Sequence, residues 1–324
     1  MTKAVTSSIA IAVATCLLQT AAFAEAAGAA APAAAVEADA GPQVISRASA
    51  SPEGPIFVDG TLYVVDYVGH DVLRIRADVD NSVSNVVWHR DGCGPTGLAR
   101  VPEGLLVACF DGRLVATISL DGKTLDVIEK DEKGEALREP NDFTLDAAGG
   151  VYFSGTGPWE PDPVVGKVYY RPKGGAVRTV AADLHSPNGL VLSPDGRLLY
   201  VAESFASRLL VFDVAKDGTL SGKRVFLNIA DVIPEAGKTP FTPDGVRIDR
   251  DGNLFVGFWD GGGFIVLSPQ GRLLKRVNLP ATHNPNLAIT PDGKSVICTG
   301  VIDLPDKSSR GELYRVPNPL LPHD

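Results

Sequence analysis

The sequence predicts an all-β fold, a six-bladed β-propeller of four-stranded blades. One short phrase, a proline and a polar residue that glycine usually follows, recurs six times at spacings of 42 to 56 residues. Self-similarity at a period of about 40 to 50 residues is typical of repeat architectures. Each copy leads into an apolar stretch, a turn and a second apolar stretch, which is the strand–turn–strand content of a propeller blade. The six copies of this repeat phrase are Pro52-Glu53-Gly54, Pro95-Thr96-Gly97, Pro140-Asn141-Asp142, Pro187-Asn188-Gly189, Pro243-Asp244-Gly245 and Pro285-Asn286-Leu287.

The strands of one blade can be followed in order along the fourth copy. Its first strand, turn, second strand and third strand are predicted at 190–193, Asp195-Gly196, 198–202 and 208–213. Short apolar runs broken by Asp-Gly turns favour hairpins over helices. A fourth, outer strand is predicted at 176–180 in the preceding unit, and the one helical turn is predicted near 229–235.

The last unit provides only three strands, so closing the ring requires a fourth from elsewhere. These three strands are predicted at 286–290, 295–299 and 311–315. The segment 43–47 is predicted to supply the outer strand of this blade. Pairing the two ends of the chain in this way removes an exposed strand edge and closes the ring.

The propeller domain is predicted to span 43–324, after a leader and a linker. An apolar run at 9–18 and the small-x-small site Ala22-Phe23-Ala24 are typical of a secretory signal peptide over 1–24. Residues 25–42 are mostly alanine with proline, glycine and acidic residues, which is typical of a flexible linker. We therefore expect an exported protein, periplasmic or secreted. A lipid anchor at Cys16 is an open alternative, disfavoured because threonine precedes the cysteine where Gly, Ala or Ser is usual.

Charge and hydropathy limit the classes of partner. The formal net charge of −9 and the pI near 5.1 argue against nucleic acid, because phosphate binding needs clustered Lys and Arg. No run after the leader reaches about 18 apolar residues, so no membrane span is expected. The expected partner is a small-molecule substrate, and the composition leaves monomer and dimer open.

Three cysteines follow the predicted leader, and an odd number leaves at least one thiol free. They are Cys93, Cys109 and Cys298. Cys93 and Cys109 flank the first hairpin of the second unit, and they either bridge there or remain thiols. Since none has the spacing of a zinc site, we expect no metal role for them.

The residue after the proline of the phrase carries an oxygen atom in all six copies. Equivalent positions in a closed ring converge on its axis, so these side chains are predicted to face one another across the central channel. A single Pro-Asn-Gly is an ordinary turn, but two carboxylates and three amides in one channel stay unsatisfied unless something fills it. We therefore predict one divalent cation held by Glu53, Asn188 and Asp244. All-oxygen ligation favours Ca²⁺, with Mg²⁺, Mn²⁺ or Zn²⁺ as alternatives.

Loops on the same rim of the propeller are predicted to surround these oxygens. They link the second strand of a blade to the third, at 66–71, 155–165, 203–207 and 258–263. They carry His70, Trp159, Phe205 and Trp259, a mixed aromatic and polar collar. Because binding groups often lie on loops over a rigid scaffold, we predict a substrate pocket that includes Trp159 and Trp259.

In their order and spacing, the phrases resemble the gluconolactonase/regucalcin (senescence marker protein-like) family of six-bladed β-propeller lactonases. The likeness extends over roughly 45 to 318. It rests on Ser51-Pro52-Glu53-Gly54, Arg138-Glu139-Pro140-Asn141-Asp142, Ser186-Pro187-Asn188-Gly189-Leu190 and Pro243-Asp244-Gly245-Val246-Arg247.

The resemblance implies a metal-dependent hydrolase that opens a lactone ring. The substrate that it favours is a sugar (aldono-) lactone. The metal ligands of the family map onto Glu53, Asn188 and Asp244, the same residues that the channel argument selects. The resemblance also places Asn141 and Arg138 at the substrate, although one residue here separates Arg138 from the phrase. The metal would polarise the lactone carbonyl, and Asp244 would act as the catalytic base toward water or only orient it.

Three other functions fit the same scaffold. An aryl-esterase or phosphotriesterase would use the same cation and a more apolar pocket, for which the collar provides aromatic side chains. A lyase or isomerase acting on an oxidised sugar would also use the cation, since a fold does not fix the chemistry. A calcium-stabilised binding module without turnover is disfavoured, because a scaffold alone would not need the converging carboxylates of Glu53 and Asp244.

Overall fold

A computed structural model describes residues 41–76, 84–239 and 241–322 of the 324-residue chain. The described residues form six antiparallel sheets of four strands each. These sheets confirm the predicted six-bladed β-propeller. The predicted signal peptide, 1–24, and all but the last two residues of the predicted linker, 25–42, lie outside the described residues.

The blades follow the chain, and within blades one to five the innermost strand comes first. Strand β1 (Gln43–Ser46) belongs to the last blade. Blade one contains β2 (Pro52–Val58), β3 (Thr61–Asp66), β4 (Asp71–Ile75) and β5 (Ser84–His89). Blade two contains β6 (Pro95–Val101), β7 (Gly104–Cys109), β8 (Leu114–Ile118) and β9 (Thr124–Ile128). Blade three contains β10 (Pro140–Leu145), β11 (Val151–Gly155), β12 (Gly166–Arg171) and β13 (Arg178–Leu184). Blade four contains β14 (Pro187–Leu192), β15 (Leu198–Glu203), β16 (Arg208–Val214) and β17 (Leu220–Asn228). Blade five contains β18 (Pro243–Ile248), β19 (Leu254–Phe258), β20 (Gly263–Leu267) and β21 (Leu273–Asn278). Blade six contains β22 (Leu287–Ile289), β23 (Ser295–Asp303) and β24 (Ser309–Pro317) beside β1.

The ring closes as the sequence predicts. In blade six the strand order is β1-β24-β23-β22, and β1 pairs antiparallel with β24 through Val44 and Tyr314. The outermost strand of the last blade therefore comes from the start of the domain. The predicted helical turn is a short helix α1 (Ile229–Val232), which a 3₁₀ turn (Pro234–Gly237) follows. No helix in the described part of the chain is long and apolar enough to cross a membrane.

The core lies between the blades. Six clusters of buried apolar side chains each fill one interface between neighbouring blades. Between blades four and five, for example, Tyr200 packs in the same cluster as Ile229 and Phe258. Because successive side chains of a strand point to opposite faces of its sheet, the middle strands supply both interfaces of a blade. Burial of this apolar surface is the main term that stabilises the ring.

The outer strand of blade three begins at Arg178, not at 176 as predicted, and runs on to Leu184. Val177 is buried, and its backbone oxygen accepts a hydrogen bond from the Glu132 N–H at 2.7 Å. Its carbonyl is therefore bonded to a loop outside the sheet, and strand pairing starts one residue later.

Cys93 and Cys109 form a disulfide, with their Cα atoms 4.6 Å apart. Cys109 ends β7, and Cys93 lies two residues before β6. The bridge therefore links the two ends of the first hairpin of blade two, which decides between the alternatives that the sequence leaves open. Cys298 is a free, buried thiol.

Candidate active site at one end of the central channel

The starts of five innermost strands enclose a cavity of about 200 Å³ at one end of the channel. Five of the six polar phrase residues line it, and so do both tryptophans of the predicted collar. The lining residues are Ser51, Glu53, Tyr67, Thr96, Phe110, Asn141, Trp159, Asn188, Asp244 and Trp259. The structure therefore brings together the predicted metal ligands and three of the four other predicted site residues.

A break in the strand ladder directs these side chains toward the axis. In blades one to five, the first hairpin shifts register within the phrase or directly after it. The shifts lie between Glu53 and Ile56, Pro95 and Gly97, Pro140 and Phe143, Pro187 and Leu190, and Pro243 and Val246. An irregularity of this kind leaves a residue unpaired and re-aims its side chain, and it is common beside active sites. The repeated phrase thus produces the same inward turn five times.

Glycine in the phrase lets neighbouring phrases approach closely. A Cβ atom at Gly97 would lie 2.1 Å from the backbone oxygen of Asn141, and one at Gly189 would lie 2.3 Å from that of Asp244. Both positions therefore exclude a side chain. The backbone of one blade can then lie against the phrase of the next, which keeps the polar side chains in one cluster.

Hydroxyl groups fix the phrases of blades three, four and five to the blade before each. The Thr96 hydroxyl donates to the backbone oxygen of Pro140 at 3.2 Å, and the Thr156 hydroxyl donates to that of Pro187 at 3.0 Å. In the same way, Ser204 donates to the backbone oxygen of Pro243 at 2.7 Å. These bonds cross from blade to blade directly beside Asn141, Asn188 and Asp244. The cavity wall is therefore held by the ring and not by any single loop.

Three buried oxygen atoms in this cavity have no hydrogen-bond partner among the residues that the structure describes: Asn141 Oδ1, Asn188 Oδ1 and Asp244 Oδ1. Glu53 lies beside them, and its Oε2 accepts from the Gly54 N–H at 2.7 Å and from Asn286 Nδ2 at 3.0 Å. Leaving a buried polar atom unpaired is costly. Amide and carboxylate oxygens are the donors that a hard divalent cation prefers, so the residues present fit such an ion.

The electrostatics of the cluster also favour positive charge. Burial raises the pKa of Glu53 to about 8, and the Asp142 carboxylate adds to the rise. Burial likewise raises the pKa of Asp244 well above its usual value, with further contributions from the charges of Glu53 and Asp142. A cation would stabilise the ionised forms of these carboxyl groups.

The donor set must be a mixed one. The described residues contain no group of three or more His, Cys, Asp or Glu side chains placed to hold a metal. A cation held by the carboxylates of Glu53 and Asp244 would therefore also need an amide oxygen such as that of Asn188.

Aromatic rings form the outer wall of the cavity. Trp159 lies against Phe205 with ring centroids 4.8 Å apart, and Trp259 stacks on His283 at 4.2 Å with an interplanar angle of 9°. The Tyr67 hydroxyl donates to Asp111 Oδ1 at 2.9 Å, and burial, with this bond, raises the pKa of Tyr67 to about 12. The hydroxyl therefore stays protonated at the rim.

Sequence reasoning missed three lining residues, Ser51, Tyr67 and Phe110. Tyr67 lies within a predicted rim loop, but only His70 of that loop was singled out. Phe110 follows β7, so it belongs to the loop that links the second and third strands of blade two. The corresponding loop of blade two is not among the rim loops predicted from the sequence, and including it would have identified Phe110.

Two other sequence predictions concern Arg138 and Asn286. Arg138 is not among the described residues that line the cavity, and its backbone N–H donates to the Tyr169 hydroxyl at 3.0 Å, so its contact with substrate stays a prediction. Asn286 does not offer a free oxygen to the channel as predicted. Its Oδ1 accepts from the Leu287 N–H at 2.9 Å while its Nδ2 holds Glu53, so it positions a ligand candidate instead.

The comparison with protein families decides the membership of the chain. Residues 51–300 match the family model described as the SMP-30/Gluconolactonase/LRE-like region. The chain belongs to this family. The matched segment extends from Ser51, at the start of the first phrase, through the sixth, so it includes every residue of the candidate site.

Individual members of the SMP-30/gluconolactonase family are distant in sequence. Lactonase drp35 of Staphylococcus haemolyticus (strain JCSC1435) is 24% identical over 239 residues, which are 70% of this chain and 69% of that protein. Lactonase drp35 of Staphylococcus aureus (strain USA300) is 23% identical over 258 residues, 76% of each chain.

Solved structures agree with the fold. A gluconolactonase from Xanthomonas campestris has a TM-score of 0.68 at 24% identity and covers 89% of this chain and 98% of its own. A calcium-binding protein, regucalcin, from Agrobacterium tumefaciens (strain C58) has a TM-score of 0.69 at 20% identity, with coverages of 86% and 93%. At such identities the similarity supports the propeller, and the chemistry has to be argued from the site.

Proposed function

We propose that the protein is a divalent-metal-dependent hydrolase that opens the ring of a lactone, in the first place a sugar (aldono-) lactone. The observation that carries this proposal is the convergence of three unpaired buried oxygens, those of Asn141, Asn188 and Asp244, in a cavity with aromatic walls. Membership of the SMP-30/gluconolactonase family supports it. So do the relatives that are named lactonase and gluconolactonase.

Glu53, Asn188 and Asp244 would hold the cation. When bound, a divalent ion supplies Lewis acidity toward a carbonyl oxygen and stabilises negative charge there. Ca²⁺ is the ion we favour, because the donors are all oxygen and two of the three are carboxylates. Fixing these donors by backbone and hydroxyl contacts, as in this ring, keeps the site ordered before substrate arrives.

The protein groups then have separate tasks during ring opening. Water attacks the carbonyl carbon, the ring C–O bond breaks, and the ring oxygen receives the proton that the attacking water loses, which makes it the hydroxyl of a hydroxy acid. Asp244 has two carboxylate oxygens, so one can face the cation while the other orients the water and accepts its proton. The Asn141 amide lies in the same cavity and can donate a hydrogen bond from Nδ2 to a substrate oxygen.

The lining favours a polar ring with apolar faces. Trp159 and Trp259 present flat surfaces on which the C–H faces of a sugar ring can stack. Ser51, Thr96 and Tyr67 place hydroxyl groups among the lining residues, where they can meet the hydroxyls of the substrate. A small cavity with a few placed polar groups is the usual form of a small-molecule site.

An aryl ester is the second candidate substrate. Four aromatic side chains, Tyr67, Phe110, Trp159 and Trp259, line the cavity, and they would accept an aromatic leaving group. The same cation and the same Asp244 would serve this reaction, so the two candidates differ only in what the collar binds.

The test is hydrolysis by the purified protein after chelation with EDTA and addition of Ca²⁺, Mg²⁺, Mn²⁺ or Zn²⁺. Proton release would be followed on gluconolactone, other aldonolactones and a panel of aryl esters. Asp244→Asn and Asn141→Ala should lose turnover, whereas Asp195→Asn, in the exposed Pro194-Asp195-Gly196 turn, should keep it. Turnover that persists in EDTA would refute the metal requirement, and turnover on aryl esters alone would favour the second candidate.

A further inference from the structure

An ion pair crosses the channel beneath the candidate site. Arg247 Nη1 lies 2.6 Å from Asp142 Oδ2, and the Asp142 side chain is fully buried while that of Arg247 is 18% exposed. Asp142 belongs to β10 of blade three, and Arg247 belongs to β18 of blade five. The pair therefore links two innermost strands that are not neighbours, past the innermost strand of blade four.

Both residues are exceptions to the repeat. The other five phrases have an uncharged residue at the position of Asp142: Gly54, Gly97, Gly189, Gly245 and Leu287. Four residues after the phrase proline, where blade five has Arg247, the other five units have Ile56, Ala99, Thr144, Val191 and Ile289. The only charged residues at these two levels of the channel are therefore the two that pair with each other.

The pair lies between two cavities. A second cavity of about 280 Å³ is lined by the parts of the innermost strands that follow the phrases, including Phe143, Val246 and Arg247. Along β10, Asn141 lines the first cavity, Asp142 is buried, and Phe143 lines the second. Neither Asp142 nor Arg247 lines the first cavity, so the ion pair lies behind the residues that line the candidate active site, on the side of the second cavity.

We propose that the Asp142–Arg247 ion pair is a positioning element for the cation site, an inference that rests on the proposed function. Asp142 directly follows Asn141, and Arg247 lies three residues after Asp244, so the bond fixes the separation of the strands that carry these two side chains. Arg247 also donates to the Val246 backbone oxygen at 2.9 Å, and Asp142 Oδ1 accepts from the Phe143 N–H at 2.8 Å. Both ends are therefore held to the backbone beside the site.

The pair itself adds no net charge around the cation. With a cation bound and Glu53 and Asp244 ionised, these two carboxylates carry two formal negative charges, while the charges of Asp142 and Arg247 cancel each other. This matches one divalent ion. Removing both partners of the pair leaves the same two charges, so a double variant separates positioning from charge.

The test compares Asp142→Asn/Arg247→Met with the wild type by calorimetric titration of Ca²⁺ and Mn²⁺ into EDTA-treated protein. We expect the Kd to rise by about tenfold or more, as is typical when groups outside the ligand set are removed. Arg247→Lys, which keeps the charge but not the forked geometry, should show a smaller rise. The matched control is Arg47→Met/Glu312→Gln. It removes another ion pair with a buried carboxylate, in blade six, where Arg47 Nε lies 2.8 Å from Glu312 Oε1. This control should leave the Kd unchanged.

Each outcome decides a different statement. A Kd within twofold of wild type in both the double variant and Arg247→Lys would refute the positioning role of the ion pair and leave the proposed metal site standing. Wild-type protein that binds neither ion would refute the proposed metal site and this inference with it. If the double variant gives no cooperative thermal transition, Arg247→Lys carries the test: a weakened Kd supports positioning, and an unchanged one refutes it.

Discussion

Gly189→Ala is expected to damage the candidate site although it adds only one methyl group. A Cβ atom at Gly189 would lie 2.3 Å from the Asp244 backbone oxygen and 2.4 Å from the Val246 backbone nitrogen. These atoms belong to the innermost strand of blade five, so no flexible side chain can move aside. The strands of blades four and five would have to separate by about 1 Å to restore ordinary contact.

The expected magnitude follows from this displacement. Overpacking of a well-packed interior costs about 1–3 kcal/mol in the free energy of unfolding. A misplacement of about 1 Å at a catalytic group can reduce the rate about 100-fold, and here Asn188 and Asp244 would move apart. We therefore expect a moderate loss of stability together with a much larger loss of metal affinity and of turnover.

The assay combines urea unfolding, calorimetric titration of Ca²⁺ and lactone turnover for each variant. The matched control is Gly237→Ala, because the nearest atom to a Cβ at Gly237 is 4.0 Å away. If Gly189→Ala matched this control in stability and in metal affinity, the argument that the strands approach too closely for a side chain would be refuted.

Three further predictions concern stability, each measured by urea unfolding. Removal of the disulfide by Cys93→Ala/Cys109→Ala should lower the free energy of unfolding by about 3 kcal/mol, since the bridge closes a sequence separation of 16 residues; an unchanged value would contradict this. Saturating Ca²⁺ should raise the free energy of unfolding of EDTA-treated protein by about 2.7 kcal/mol at 100 times the Kd, and an equal gain in Glu53→Gln would place the ion elsewhere. His283 should stabilise the fold in its charged form, because burial lowers its pKa but the Asp260 carboxylate 3.6 Å away and the hydrogen bond to Asp303 raise it overall. That contribution is complete below its ordinary pKa of 6.5 and is lost as the pH rises through the raised value, so the deficit of His283→Gln should shrink at high pH. A deficit that does not change with pH would contradict it.

The fold could be predicted from the sequence because the same pattern, a phrase followed by strand, turn and strand, occurs six times. A single Pro-Asn-Gly is only a turn, whereas six copies in register define blades, their number and the axis. The closure was predictable as well, because the last unit is one strand short and 43–47 has the composition of a strand. The convergence of Glu53, Asn188 and Asp244 followed from the same symmetry.

The repeat could not distinguish residues that share a position. Asn141, Asn188 and Asn286 are the same residue type at equivalent places in three blades. Asn141 and Asn188 each keep an unpaired Oδ1, while both ends of the Asn286 amide are hydrogen bonded. The Oδ1 of Asn286 accepts from the next residue, Leu287, whereas its Nδ2 donates to Glu53, which lies far away in sequence and meets it only in the closed ring.

The exceptions to the repeat therefore carry information that the repeat itself cannot. At the positions equivalent to Asp142 and Arg247, the other blades have glycine or an aliphatic side chain, with Thr144 as the one departure. Such residues avoid the cost of burying a charge. Replacing a buried ion pair by well-packed apolar residues is often neutral or stabilising, so the stability of the ring alone gives no reason for charge at this place. Positioning gives one, because a short bond between two charged groups fixes two strands relative to each other more strictly than apolar contact does. If that argument is right, Asp142→Asn/Arg247→Met should lose metal affinity even where its stability equals that of the wild type.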